Sequence, residues 1–278
     1  VNDGGQLLDV AVITACHNHG RFVTDMLESV WAQTHPASEV VLVNDGSTDD
    51  TLDILEGLQH PRLRIIHTPN RGPSAARNTA IAHTTAPLIL NLDADDKVAP
   101  TYLERAVHRF AQDPGLGIVY GEVRFFGART GPFELPEYTL PTMLRDNVIV
   151  SAAVFRRCDW EVVGGYSEAF PHGTEDYDLW LSILELGRGV SRIPDDMLFY
   201  RTYPRETESR SGRRKRVRQK SIAARRTLFA RHEALYRQCP DEYARIQSLI
   251  AKWDREPAAV RLLKDVAYKV RRVRVGGR

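Results

Sequence analysis

Short apolar runs alternate with stretches of helical period over the first 125 residues. "VAVITA" (10–15), "EVVLVND" (39–45), "LRIIH" (63–67) and "LILNL" (88–92) each suit one buried strand. Between the first two, residues 21–33 place Phe22, Met26, Leu27, Val30 and Trp31 on one helical face. Further helices are predicted from Thr48 to about Leu58, over 74–83 and over 101–112, with another strand at 117–123. Strands that are apolar throughout, joined by helices, predict an α/β fold: a mostly parallel sheet flanked by helices on both faces.

Beyond residue 125 the pattern is less regular. The Pro-rich stretch 132–143 reads as a long loop and "NVIVSAAVF" (147–155) as a strand. A helix over 174–187 ends at Gly187, and 197–203 reads as the last strand. "PRETESRSGRRKRVRQK" then opens a polar, basic region whose remainder to Arg278 is helical in period. The expected organisation is a body over 1–204, divided near residue 98, and a basic α-helical extension over 205–278.

Charge sharpens that division. The formal net charge is only +2, but residues 201–278 carry 23 of the 38 Lys and Arg and 8 of the 36 Asp and Glu. That part is therefore +15 and the first 200 residues are −13. Three cysteines, Cys16, Cys158 and Cys239, lack the spacing of a disulfide framework or a metal site, which suits a reducing compartment. No apolar run approaches the ~18 residues of a membrane span, and no leader pattern is visible. These features point to the cytoplasm. The basic extension would suit an anionic membrane surface at the inner face of the cell membrane, and no recognition motif for nucleic acid accompanies it.

In open α/β sheets, ligands bind beyond the carboxyl ends of the strands. Polar residues collect there: Thr14 to Cys16, Asn44 and Asp45, Asn70 and Arg71, and Asp93 to Asp96. "LDADD" is the densest cluster, with Asp93, Asp95 and Asp96 within four positions. Hard oxygen ligands of this kind suit Mg²⁺ or Mn²⁺ shared with substrate phosphates; a helix cap would account for one carboxylate, not three. In "NDGSTDDT", Asp45 precedes the turn and is not needed as the cap, so its carboxylate is placed to accept the imide N–H of a uracil. "NRGPSAARN" sets Pro73 at a helix start and Arg77 one turn in, as a donor to a nucleotide. "HGTEDYDLW" brings Glu175 and Asp176 to a helix N-terminus beside Tyr177 and Trp180. Capping alone would explain the charges, but Asp176 there could also deprotonate an acceptor hydroxyl. Gly165 and Tyr166 of "VGGYSEAF", with His172, are the remaining candidates for a sugar or acceptor pocket.

Together "VITACHN", "VLVNDGSTDDT", "RGPSAARNTAI…LILNLDADD" and "GGYSEAFPHGTEDYDLW" resemble, in order and spacing, the motifs of inverting family 2 glycosyltransferases with the GT-A fold. The resemblance runs from about Val10 to Ser209. It implies a nucleotide-binding half to about residue 98 and an acceptor-binding half beyond it. It also implies a nucleotide-sugar donor, commonly uridine-linked, with Thr14 and Asp45 near the base and ribose. Asp93 would face the ribose or sugar, Asp95 would ligate the cation with Asp96 beside it, and Asp176 would be the catalytic base. The acceptor would be a hydroxyl of a glycan or lipid-linked molecule in bacterial surface polysaccharide or glycolipid synthesis. Two positions depart from the pattern. Cys16 stands where the family often has Tyr, and Tyr203 of "YRTYPRETES" stands where it often has a His; this implies either looser metal binding or neutralisation of the diphosphate by Arg201 and Arg205 instead.

Three rival classes make different demands. A nucleotidyltransferase on a similar sheet needs a Gly-rich phosphate loop near the first strand, which "TACHNHGRF" does not supply. A retaining transferase has no need of Asp176 as base. A non-catalytic sugar-nucleotide binder has no need of both acidic clusters.

Overall fold

A computed structural model describes residues 7–170, 173–204 and 222–255. The expected alternation forms β1 (Val10–Cys16), α1 (Gly20–Trp31), β2 (Glu39–Asp45), α2 (Thr51–Glu56), β3 (Leu63–Thr68), α3 (Pro73–Ala82) and β4 (Leu88–Asn91). Then follow β5 (Lys97–Val98), α4 (Tyr102–Gln112), β6 (Leu116–Gly127), β7 (Gly131–Phe133), α5 (Leu140–Arg145), β8 (Val154–Arg156), α6 (Arg157–Val163), α7 (Glu175–Glu185) and β9 (Gly189–Thr202). Three helices close the described chain: α8 (Ile222–Arg231), α9 (Glu233–Arg237) and α10 (Pro240–Arg255).

The strands form one sheet in the order β3-β2-β1-β4-β8-β6-β9-β5, with β7 paired to β6. β3, β2, β1 and β4 are parallel, so the polar residues that end them share one edge. β8 is antiparallel to both β4 and β6, while β6 and β9 run parallel. The sheet is thus parallel in its first half and mixed in its second.

Two cores cover its faces. Alternate β1 residues Val10, Val12 and Cys16 pack with Val23, Met26, Leu27 and Val30 of α1 and with α4. Ala11 and Ile13 pack on the other face with Ala76, Ala80 and Ile81 of α3 and with α7. Each such Val, Leu or Ile contributes ~1.5–3 kcal/mol on burial. The alanines of α3 keep that helix close to the sheet, which fixes the height of Arg77 and Asn78 above the strand ends. Leu228, Leu235, Tyr236 and Ile246 from α8 to α10 join this second core. The described part of the C-terminal extension is therefore built into the body; residues 205–221 and 256–278, with most of the basic run and Arg205, lie outside the described residues.

Three expectations require correction. Only Val154–Arg156 of the run 147–155 is strand. Val148, Ile149, Ala152 and Ala153 are buried in irregular backbone, held by Tyr102 Oη donating to the Ala152 carbonyl at 2.6 Å and Asn91 Nδ2 donating to Ser151 O at 3.2 Å. The expected loop 132–143 takes in part of β7 and the start of α5, whose N-cap Thr139 exchanges hydrogen bonds with Thr142 in a capping box. The last strand begins at Gly189, eight residues before the expected start at Met197, because β6 offers a long partner for it.

Candidate active site

The site begins where β2 ends. Both carboxylate oxygens of buried Asp45 accept backbone N–H groups, from Arg71 at 2.8 Å and Gly72 at 2.9 Å. Asp45 thereby anchors the turn into α3, in which Gly72 has φ +91° and Pro73 opens the helix. His17 Nδ1 donates to the Asp45 carbonyl at 2.9 Å, and Asn18 exchanges hydrogen bonds with Ser47 and Thr48. The loops after β1 and β2 are thus tied into one polar rim.

From α3, Arg77 reaches the centre. Its side chain is 3% exposed and lies between two acidic clusters: Nη2 donates to Asp93 Oδ1 and Nη1 to Glu175 Oε1, each at 2.9 Å. Burial opposes its charge, but Asp93 and Glu175 more than offset this and hold the guanidinium above its ordinary pKa. The Tyr166 ring supports it from 5.5 Å. A single cation therefore joins "LDADD" at the end of β4 to "TED" at the start of α7. Asn78, the next residue and one that the sequence did not single out, receives the Tyr166 N–H at 2.8 Å and the Trp160 indole N–H at 3.1 Å on Oδ1. Its Nδ2 donates to Tyr166 O at 2.8 Å.

Beyond Arg77 the carboxylates diverge. Asp95 is partly exposed; Oδ2 accepts the Tyr203 hydroxyl at 2.5 Å and its carbonyl accepts Arg201 Nε at 2.8 Å. Burial and the nearby Asp95 raise the Tyr203 pKa, so the phenol stays a donor. Asp96 is buried and turns Oδ1 to the Arg201 backbone N–H at 2.8 Å. Burial, then repulsion from Asp95 and Asp93, raise its pKa well above the usual carboxylate range. Arg201 lies between the Phe22 and Phe126 rings at 4.5 and 4.4 Å and donates to Asp25 Oδ2 at 3.0 Å. It braces the loop that carries Asp95.

Among the described residues no group of three or more His, Cys, Asp or Glu side chains is arranged to hold a metal ion. The donor set still fits Mg²⁺ or Mn²⁺, which take one or two carboxylates and complete their shell with substrate phosphates and water. Asp95 is the fitting ligand, with Asp93 two residues before it. Asp96, buried and latched to backbone, is a poorer one.

On the other flank Asp176 sits in the first turn of α7. Oδ1 accepts the Tyr177 N–H at 2.8 Å, and Oδ2 accepts Asn147 Nδ2 at 3.4 Å. Asn147 escaped the sequence reading because it lies in the irregular segment mistaken for strand.

Several expected site residues are not placed as expected. Thr14 and Cys16 are fully buried on the α1 face of β1, with Thr14 Oγ1 toward Met26 Sδ, so their side chains offer a donor no surface. Burial pushes the Cys16 thiol up to about 11. Trp180 is fully buried against Phe155, and Tyr177 donates its hydroxyl to Met143 O; neither forms an acceptor rim. Tyr166 lies beneath Arg77. Gly165, at φ +82°, has room only for its hydrogen, since a Cβ would stand 2.8 Å from Asn78 Oδ1. Backbone packing by itself requires a glycine here. His172 lies outside the described residues.

A sequence model of glycosyl transferase family 2 matches residues 11–159. The chain belongs to this family. Chondroitin synthase of Escherichia coli is 32% identical to it over 186 residues, covering 64% of this chain and 27% of that protein. The chain thus spans a small part of that relative's length. S. aureus TarS 1–349, solved with UDP-GlcNAc, superposes with a TM-score of 0.62 at 19% identity, over 84% of this chain and 73% of that one. The mannosyltransferase PcManGT of Pyrobaculum calidifontis, solved with GDP-Man and Mn²⁺, also gives 0.62, at 22% identity over 97% and 83%. At such identities the likeness is one of fold, the GT-A fold expected for a family 2 transferase.

Proposed function

We propose that this family 2 chain is an inverting, metal-dependent glycosyltransferase. It moves a sugar from a nucleotide-sugar, most naturally a UDP-sugar, to a hydroxyl of a glycan or lipid-linked acceptor. The observation that carries the reading is the bridge made by Arg77. It joins the carboxylates suited to a cation and diphosphate to the helix that bears a base.

Asp176 accepts the proton of the acceptor hydroxyl as its oxygen attacks the anomeric carbon. The nucleoside diphosphate departs from the opposite side, so one in-line displacement inverts the configuration. Asp95, with Asp93 beside it, would hold Mn²⁺ or Mg²⁺, which supplies Lewis-acid stabilisation of the leaving diphosphate. Arg77 keeps Asp93 and Glu175 fixed without competing for the acceptor. With Thr14 and Cys16 buried, the exposed loop residues Asn18 and Asn70 remain at the strand edge to meet a nucleotide.

Similarity to a chondroitin synthase, and a fold shared with proteins solved with UDP-GlcNAc and GDP-Man, support a nucleotide-sugar donor and a polysaccharide product. Among the described residues no helix is long and apolar enough to cross a membrane. A cytoplasmic location with peripheral attachment through the basic extension completes the proposal.

Thermal stabilisation by UDP- and GDP-sugars, with and without Mn²⁺, tests the donor site. Asp95→Ala is expected to abolish the Mn²⁺-dependent part of that stabilisation; an unchanged Mn²⁺ response refutes the metal assignment. Asp176→Asn is expected to keep donor binding while transfer falls by about 100-fold or more. The anomeric configuration of the product, read by NMR, decides inversion.

A further inference from the structure

The helix bearing Asp176 is held from behind by the C-terminal extension. Asp178 is two residues further along α7, about 200° around the helix, so the two carboxylates face opposite sides. Asp178 is 1% exposed, and residues more than fifty positions away satisfy it. Arg231 Nε donates to Oδ1 at 2.7 Å and Nη2 to Oδ2 at 3.2 Å, while His232 Nε2 donates to Oδ1 at 3.0 Å. His232 is itself buried, with Nδ1 3.2 Å from Glu185 Oε1 at the far end of the same helix. One pair of consecutive residues thus grips the first turn of α7 through Asp178.

The second support of Asp176 leads to the same place. Asn147, which donates to Asp176 Oδ2, follows α5 by two residues. Tyr236 Oη donates to Leu144 O at 2.9 Å, Arg225 Nη1 donates to Arg145 O at 2.5 Å, and the Arg145 guanidinium pairs with buried Glu242. Tyr177 Oη reaches Met143 O from α7. The end of α5 is thus fastened to α8, α9 and α10.

We propose that Arg231 and His232 are positioning residues: through Asp178 they fix the first turn of α7, and hence the Asp176 carboxylate, so that the C-terminal helices belong to the catalytic unit. This rests on Asp176 being the base. A buried ion pair is weak evidence of stability in its own right but is well suited to setting register. A shift of ~1 Å at a catalytic group, caused from a distance, can lower turnover about 100-fold.

Arg231 is 44% exposed on its outer side, so Arg231→Ala should fold. The first measurement is amide hydrogen exchange. Faster exchange at 174–178, with unchanged protection at 39–45, is expected. Uniform acceleration across both regions marks a purely stabilising role and overturns the proposal, as does unchanged protection at 174–178. The second is nucleotide release from UDP- and GDP-sugars with Mn²⁺, well below the melting temperature. For Arg231→Ala, kcat should fall about tenfold or more while donor KM stays within about twofold, and Arg231→Lys should recover part of the loss. A wild-type kcat in Arg231→Ala beside an inactive Asp176→Asn overturns positioning alone. Normal turnover by Asp176→Asn overturns the base assignment and the proposal with it.

Discussion

Replacing Arg77 by Met leaves the space filled but removes the charge between two carboxylates. Glu175 is 1% exposed and cannot regain water, whereas Asp93 is 25% exposed and can do so in part. Breaking a buried pair by removing one partner costs about 3–5 kcal/mol, and most of that here falls on Glu175. For a chain of this size each kcal/mol lowers Tm by about 2–4 °C, so a fall of about 6–20 °C is expected. The loss should grow with pH. Ionising a buried carboxylate that has lost its guanidinium costs more than leaving it protonated, so the variant is penalised more at high pH than at low pH. Urea unfolding of Arg77→Met at pH 5 and pH 8 should therefore diverge more than that of the wild type. Adding Glu175→Gln removes the stranded charge and should restore part of the stability and flatten the pH dependence. A loss below about 1 kcal/mol, equal at both pH values, would show that Arg77 does not join the two clusters.

Asp96 gives a test of opposite sign. Its folded-state pKa is raised by burial and by Asp95 and Asp93, so its contribution to stability holds at low pH and is lost as pH climbs through that value. Asp96→Asn, which keeps an oxygen for the Arg201 N–H, is expected to raise the melting temperature of metal-free protein at pH 8 and change it little at pH 4; a drop at pH 8 would count against the assignment. Gly165→Ala should lose about 1–3 kcal/mol, because it pairs a left-handed backbone with a Cβ 2.8 Å from Asn78 Oδ1 and 3.1 Å from Trp160 Nε1. Wild-type thermal stability in that variant would contradict the close packing of this turn.

The strand–helix order, the common edge of the first four strands and the two acidic clusters could be read from apolar runs and their polar ends. Orientation could not. Thr14 and Cys16 stand at a strand end, but alternate positions of β1 turn into the α1 core, and a strand covered on both faces shows no polar side from which to tell. Asp176 and Trp180 are four apart and share a helical face, yet Trp180 lies one turn deeper, under Phe155. The first turn and the middle of α7 are buried all round, so its period marks no rim. Val148 to Ala153 read as strand because irregular backbone can also bury consecutive apolar residues. The partnership of Asp176 with Asn147, and of Asp178 with Arg231 and His232, depends on long-range packing that no local pattern encodes.

Asn78 meets both the N–H and the carbonyl of Tyr166 and so imitates the edge of a neighbouring strand with a side chain. Such a two-way grip transmits displacement as a peptide ladder would. Any shift of the turn around Gly165 must drag α3 with it, and Arg77 rides on the adjoining position. Under the proposed function, a rearrangement at the acceptor side would reach the donor side through these two neighbouring side chains.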